Sequence, residues 1–327
     1  MPANLPPTYH EAEERYRSAR DPAEKITALE EMLRIMPKHK GTEKLQADLK
    51  ARMSKLRKQP QKKGASRAAS HIIPHEGAGQ IALIGAPNTG KSSLVARLTH
   101  ATPEVAEYPF TTRLPVPGMM PFEDVAFQLI DLPPLSDEFV EAWVYDSVRY
   151  ADLAWVVVGL YNSLDELDLT QRLLASKKIV AHPVGRPPQG ERAVGQTDLP
   201  ALLVVTGSDR PDADDDLKIL HDLLEEPWPV HPVSSIDGTG LDELGRGTFE
   251  ALGIMRVYTK QPGKPADRDA PFTLPVGATV GDLAHVIHKD IEEGLKFARL
   301  WGPSAFDGQT VHRDHVLEEG DVVEIHV

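Results

Sequence analysis

The chain has no cysteine, which excludes a disulfide framework and any thiolate chemistry. Long apolar runs are also missing: none approaches the roughly 20 residues that span a bilayer, so no membrane protein is expected. The opening stretch, MPANLPPTYHEAEERY, lacks the charged-then-apolar order of a secretory leader, so the cytoplasm is the expected compartment. Cations are scarce. A net charge of −13 argues against wrapping nucleic acid with the whole surface, and no DNA partner is expected.

What is present is unevenly spread. Between residues 37 and 67, eleven Lys or Arg face two acids, a local balance of +9, so the rest of the chain carries −22. A basic element attached to an acidic body suits a phosphate-rich partner; a solvated basic helix without a partner is the plainer reading. At 327 residues the chain has room for two or three domains with real cores.

Residues 9–58 are rich in Ala, Glu, Lys, Leu and Arg. Apolar stripes at helical spacing, Ile26, Leu29, Met32 and Leu33, then Leu45, Leu49, Met53 and Leu56, predict two helices joined by the Pro- and Gly-bearing turn MPKHKGTEK. A polar, basic stretch follows and reads as a linker, completing an N-terminal segment over 1–70. From Gln80 short apolar runs (IALIG, VAFQLID, LAWVVVGL, ALLVVTG, VHPVSS) alternate with helix-like stretches. This predicts an α/β domain over 71–253 with a mostly parallel sheet, interrupted by a Pro/Gly-rich surface insertion near 184–200. After about Ile254, short strands around one helix predict a small α+β domain over 254–327.

The stretch IALIGAPNTGKSSL sets Gly85 four residues before Gly90-Lys91-Ser92, after a strand and before a helix. That is the full phosphate-loop pattern in its confirming context. The loop from Asn88 through Thr89, Gly90, Lys91, Ser92 and Ser93 is expected to hold nucleotide phosphates. Backbone amides and the helix N-terminus face the oxygens, Lys91 reaches the β- and γ-phosphates, and Ser92 ligates Mg²⁺.

Downstream features fall in the order expected of a GTPase. Thr111 and Thr112 lie about twenty residues after the loop, where a threonine can complete the Mg²⁺ shell; two threonines in a loop are otherwise ordinary turn residues. Asp131 ends the next strand, where a carboxylate can hold Mg²⁺ through water. Thr206 and Asp209 end another strand, with Asp209 able to accept from guanine, and Ser234 and Ser235 allow backbone contact with the base.

On these residues, Gly85 to Leu244 resembles the guanine-nucleotide domain of the Obg and DRG class of translation-factor-related GTPases, with GAPNTGKSSL and YPFTTRLPVPG the closest matches. PKHKGTEKLQADLKARMSKLR resembles the N-terminal helical segment of DRG-type proteins. The C-terminal region (VGATVGDLAHVIHKDI, FARLWG, DGQTVHRDHVLEEGDVVEI) is similar to the TGS domain, a β-grasp module. The resemblance therefore implies a P-loop GTPase core flanked by an N-terminal helical hairpin and a C-terminal β-grasp (TGS) domain. It also implies binding of GTP and GDP, hydrolysis of GTP with Lys91 and Thr112 in the machinery, and association with a ribosome or structured RNA.

The chain departs from the class in three places. Where the class reads Asp-x-Pro-Gly after the strand, Pro134 replaces the glycine, removing an amide that donates to the γ-phosphate. Losing one charge-assisted bond of roughly 1.5–3 kcal/mol lowers discrimination between GTP and GDP by about 10- to 100-fold; a rigid turn after a buried strand is the plainer reading of the two prolines. Leu135 stands where some GTPases use Gln to orient water. A monovalent cation, potassium, on Asn88 is the alternative device that the resemblance implies. Gly207 replaces the lysine whose stem covers the base, so micromolar affinity is expected.

Two rivals remain at this point: a nonhydrolysing, guanine-nucleotide-dependent scaffold, and a P-loop ATPase or kinase that leaves Asp209 and Ser234-Ser235 unexplained. Asp282, His285 and His288 read as one face of a helix rather than a metal site, and Asp212 to Asp216 as an acidic surface loop.

Overall fold

The computed structural model describes Tyr16, residues 22–35, Leu49, and residues 73–99, 117–138, 140–188 and 192–327. Thr111, Thr112, most of the predicted second helix and the basic linker lie outside these residues. By contacts the chain divides into two units, residues 1–70 and 71–327. In the first, helix α1 (Pro22–Ile35) buries Ala28, Leu29 and Met32, and Leu49 is also buried.

The second unit begins with β1 (Gln80–Ile84), α2 (Lys91–Leu98), β2 (Pro117–Phe122) and β3 (Val125–Asp131). It continues through α3 (Ala142–Tyr150), β4 (Leu153–Gly159), a 3-10 turn (Leu160–Asn162) and α4 (Ser163–Ser176), then β5 (Ile179–Pro183), β6 (Thr197–Thr206), α5 (Ala213–Leu223), β7 (Val230–Val233) and α6 (Leu241–Leu252). The seven strands form one sheet in the order β2-β3-β1-β4-β6-β5, and β7 pairs with the second half of β6. Every pairing in this sheet is parallel except β2 with β3.

Strands of a parallel sheet covered on both faces read as unbroken apolar runs, and β1 and β4 do so here. Alternate residues serve opposite cores. Ala82, Ile84, Val156 and Val158 meet Val144 and Val148 of α3, Leu167 and Leu174 of α4 and Leu220 of α5. Ile81, Leu83, Trp155 and Val157 meet Leu94 of α2 and Leu244 of α6. The buried Trp155 Nε1 donates to Thr248 Oγ1 at 3.1 Å, so the largest core side chain leaves no polar atom unpaired.

Two sequence expectations shift. The insertion is shorter than 184–200, because Thr197 to Pro200 already pair with Ile179 to His182 as the start of β6. The acidic run is not a loop: Asp214, Asp215 and Asp216 occupy the first turn of α5, where carboxylates complement the helix dipole.

The remaining elements are β8 (Ile254–Lys260), β9 (Ala266–Pro275), α7 (Val280–Ile287), α8 (Lys289–Gly294), β10 (Phe297–Gly302), β11 (Ala305–Val311) and β12 (Val322–His326). They build a second sheet, ordered β11-β10-β12-β8-β9, in which only β12 and β8 run parallel. Val280, Leu283 and Ala284 of α7 pack on Met255, Val257, Leu300 and Val323. Asp282 and Thr279 cap this helix reciprocally. His288 lies past its end, between α7 and α8, and His285 pairs with Glu292 at 2.6 Å, so the three residues do not share one helix face. Among the described residues no cluster of His, Asp and Glu is placed to hold a metal, and no helix is long and apolar enough to cross a membrane.

The two sheets are joined at the turn between β2 and β3. Arg256 of β8 pairs with Glu123, with Asp124 at 2.7 Å and with Glu319 at 2.6 Å, and its guanidinium lies 5.0 Å from the Phe249 ring. Tyr258 donates to the second Asp124 oxygen at 2.5 Å. Burial alone would raise the Asp124 pKa, but the bonds from Tyr258 and Arg256 reverse it and leave a net lowering. Arg256 is only 17% exposed, and its removal leaves the part-buried Asp124 held by Tyr258, while Glu123 and Glu319 are open to water. Arg256→Ala should therefore lower the urea midpoint by an amount equivalent to about 1–3 kcal/mol and speed amide exchange at the turn; an unchanged midpoint would mark the cluster as screened surface.

Candidate functional site

Between β1 and α2 the chain curls tightly. Gly85 can carry no side chain, because a Cβ there would fall 2.2 Å from the Val157 carbonyl oxygen. Asn88 and Gly90 take left-handed φ values of 64° and 87°, which turn the loop around its own centre before the helix starts. Thr89 is buried, its hydroxyl donating to Ala86 O at 3.2 Å, whereas Asn88 is exposed at the rim.

Lys91, the first residue of α2, folds back into this curl. Its ammonium donates to Gly85 O at 3.1 Å, Ala86 O at 2.7 Å and Thr89 Oγ1 at 3.2 Å. Burial pulls its pKa down to about 8, a fall limited by the negative charges of Asp131 and Glu166. Glu166 of α4 accepts from the Gly159 amide at 2.6 Å; burial pushes its pKa up. Nothing near Glu166 in sequence marks it as part of the site.

A cavity of about 640 Å³ opens in front of the loop, walled by Asn88, Gly90, Ser92, Ser93, Asp131 and Pro134 among others. Asp131 Oδ1 is buried here without a hydrogen-bond partner among the described residues. A buried carboxylate oxygen with no protein donor, facing the exposed Ser92 hydroxyl region across one cavity, is a donor set that fits a hydrated Mg²⁺. Trp143 of α3 also lines the cavity, its Nε1 held by Glu141 at 2.5 Å. Sequence reading missed it, because helical spacing alone gives it a core role.

The segment after Asp131 is packed down at both ends. Leu132 and Leu135 are buried in the core, and the exposed Pro133 and Pro134 between them form the cavity wall. The Leu135 amide donates to Gly85 O at 3.0 Å. Its side chain therefore points away from the cavity, into the cluster with Val144 and Val148.

The other predicted residues gather behind the loop. Thr206 Oγ1 donates to Thr89 O at 2.8 Å, tying the end of β6 to the phosphate loop. Gly207 and Ser208 both donate to Val233 O, at 3.1 and 3.3 Å, which brings the Asp209 turn beside the loop carrying Ser234 and Ser235. Ser234 is fully buried and its hydroxyl accepts from the amides of Ile236 and Asp237, whereas Asp209 is exposed. The structure thus groups every described residue predicted for the site around one end of the sheet.

Residues 80–183 match the family described as 50S ribosome-binding GTPase, and residues 255–327 match the TGS domain. An uncharacterized GTP-binding protein of Methanocaldococcus jannaschii is 30% identical, over 92% of this chain and 92% of its own. Developmentally-regulated G-protein 2 of Arabidopsis thaliana is 27% identical over 92% of this chain and 90% of its own. In structure, the YchF GTPase of Schizosaccharomyces pombe shares the fold, with a TM-score of 0.53 at 14% identity over 78% of this chain and 100% of its own.

Because Leu135 is fully buried, Leu135→Ala should cost about 2–5 kcal/mol in urea unfolding. A loss within ~0.5 kcal/mol, the usual range for surface positions, would mean that the side chain is not a core anchor.

Proposed function

Because the chain belongs to the Obg/DRG-like family of translation-factor-related GTP-binding proteins with a C-terminal TGS domain, we propose that it is a slow GTPase acting with a ribosome or structured RNA. The observation that carries this reading is the buried Lys91, its ammonium turned onto loop carbonyls at the floor of a cavity large enough for a polyphosphate. In the proposed reaction, GTP and water give GDP and phosphate. The amides of Asn88 to Ser93 and the α2 N-terminus hold the phosphate oxygens, and Lys91 neutralises charge as it develops on them. Ser92, Asp131 and Thr112 would hold Mg²⁺, which when bound would supply further neutralisation of the phosphate charge. Thr206 positions the loop, and Asp209 with the Ser234-Ser235 turn reads guanine.

Slowness follows from the wall after Asp131. Pro134 has no amide to offer the γ-phosphate, and Leu135 is directed into the core, so neither orients a water. Asn88, exposed at the rim, is the proposed ligand of potassium. The same wall favours the second reading, a nonhydrolysing scaffold that responds to guanine nucleotide. The basic stretch between residues 37 and 67 supports a phosphate-rich partner, as does the ribosome-binding description of the matched family. A cytoplasmic setting follows from that partner.

Three measurements test these proposals. In calorimetry, GDP should bind with Mg²⁺ at micromolar affinity. Lys91 must be charged to hold phosphate and loses its proton near pH 8 in the free protein, so affinity should be full below that and fall as pH rises through it. A flat profile from about pH 7 to about 9.5 would contradict that role for Lys91. Turnover should rise with ribosomes, should be faster in KCl than in NaCl, and ribosome association should weaken steeply with salt. Absence of turnover under every condition would leave the scaffold; equal rates in the two salts would remove potassium from Asn88.

A further inference from the structure

The base-reading turn lacks a side chain at Gly207, and another residue fills the space. A Cβ built on Gly207 would meet Arg210 at 3.5–3.8 Å, through its Nε, Cζ and Cδ atoms. Arg210 is the residue after Asp209, and its side chain folds back across the turn instead of projecting into solvent. Its guanidinium carbon sits 4.2 Å over the ring of Tyr161, from the 3-10 turn that follows β4. Both side chains are exposed, Tyr161 at 65%. Among the described residues Arg210 has no carboxylate partner, so only the ring and the turn hold it.

Position decides what this pair can do. Gly207 follows Thr206, which is bonded to the phosphate loop through Thr89 O, and precedes Asp209 by two residues. A planar cation therefore lies over the turn that runs from the residue tied to the phosphate loop to the carboxylate proposed to read the base. Gly207 itself has φ of +93°, a conformation that a side chain would strain, so the turn cannot easily supply cover from that position. Guanidinium planes stack on aromatic faces, and stacking on a base is indifferent to which edge is being read.

We propose that Arg210 is the base-stacking residue of this protein, laying its guanidinium on the face of the guanine whose edge Asp209 reads, with Tyr161 as the aromatic rest that keeps it extended over the turn. Arg210 is a specificity and positioning residue, not a catalytic one. The proposal rests on the reading of the cavity as a guanine-nucleotide site.

The experiment compares GDP with inorganic tripolyphosphate, which lacks a base, by calorimetry with Mg²⁺. Arg210→Ala should weaken GDP by about 10-fold or more, in the range of one lost base stack, and leave tripolyphosphate unchanged. Arg210→Lys, which keeps the charge but not the plane, should recover only part of the loss. Tyr161→Phe should be neutral and Tyr161→Ala should weaken GDP alone. Equal GDP affinity in Arg210→Ala and the unaltered protein would overturn the proposal, as would a parallel loss of tripolyphosphate, which would make Arg210 a phosphate-attracting charge. If the unaltered protein binds tripolyphosphate but not GDP, the guanine reading fails first and takes this one with it.

Discussion

Gly85 sits at the C-terminal edge of β1 with no room for a side chain, and its carbonyl oxygen takes two donors: the Lys91 ammonium at 3.1 Å and the Leu135 amide at 3.0 Å. One donor belongs to the helix that opens the phosphate loop, the other to the segment that walls the cavity. The two sides of the site are thus held against a single backbone atom, and that atom is fixed because β1 is paired on both sides, with β3 and β4. A Cβ at Gly85 would push the strand off Val157 and disturb both donors together.

The lysine's environment follows from this arrangement. A charged amine buried among carbonyls is solvated by dipoles only, which explains a proton held less tightly than in water. The carbonyls hold the ammonium in place without neutralising it, and Asp131 and Glu166 contribute at a distance. An anionic ligand would supply the missing counter-charge. The wall opposite is built differently. Leu132 and Leu135 act as two pegs with a pair of prolines between them, so the backbone there has neither the freedom nor the donors that a glycine would give.

Much of this was legible in the residues. The phosphate loop depends on local backbone geometry, which glycine spacing records directly, and buried parallel strands record themselves as apolar runs. β2 was not legible: PGMMPF carries Pro117 and Pro121, which a central strand would reject, and is tolerated because β2 is an edge strand paired only with β3. The first four residues of β6 were hidden in a polar stretch, since they pair on one side with β5 before β4 joins at Ala201. Trp143 and Glu166, and Arg210 with the role proposed for it, were missed for a common reason. Each reaches the site from another element or by folding back on its own, a matter of tertiary placement that spacing does not encode.

The hairpin of β2 and β3 has a consequence for how the parts of the second unit are connected. At one end β3 finishes in Asp131, inside the cavity; at the other, the turn is gripped by Arg256 and Tyr258 of the neighbouring sheet. Seven residues of extended chain, about 20 Å at roughly 3.3 Å each, separate the two. A hydrogen-bonded strand pair is stiff along its length, so the cavity carboxylate and the turn that the neighbouring sheet grips belong to one continuous hairpin.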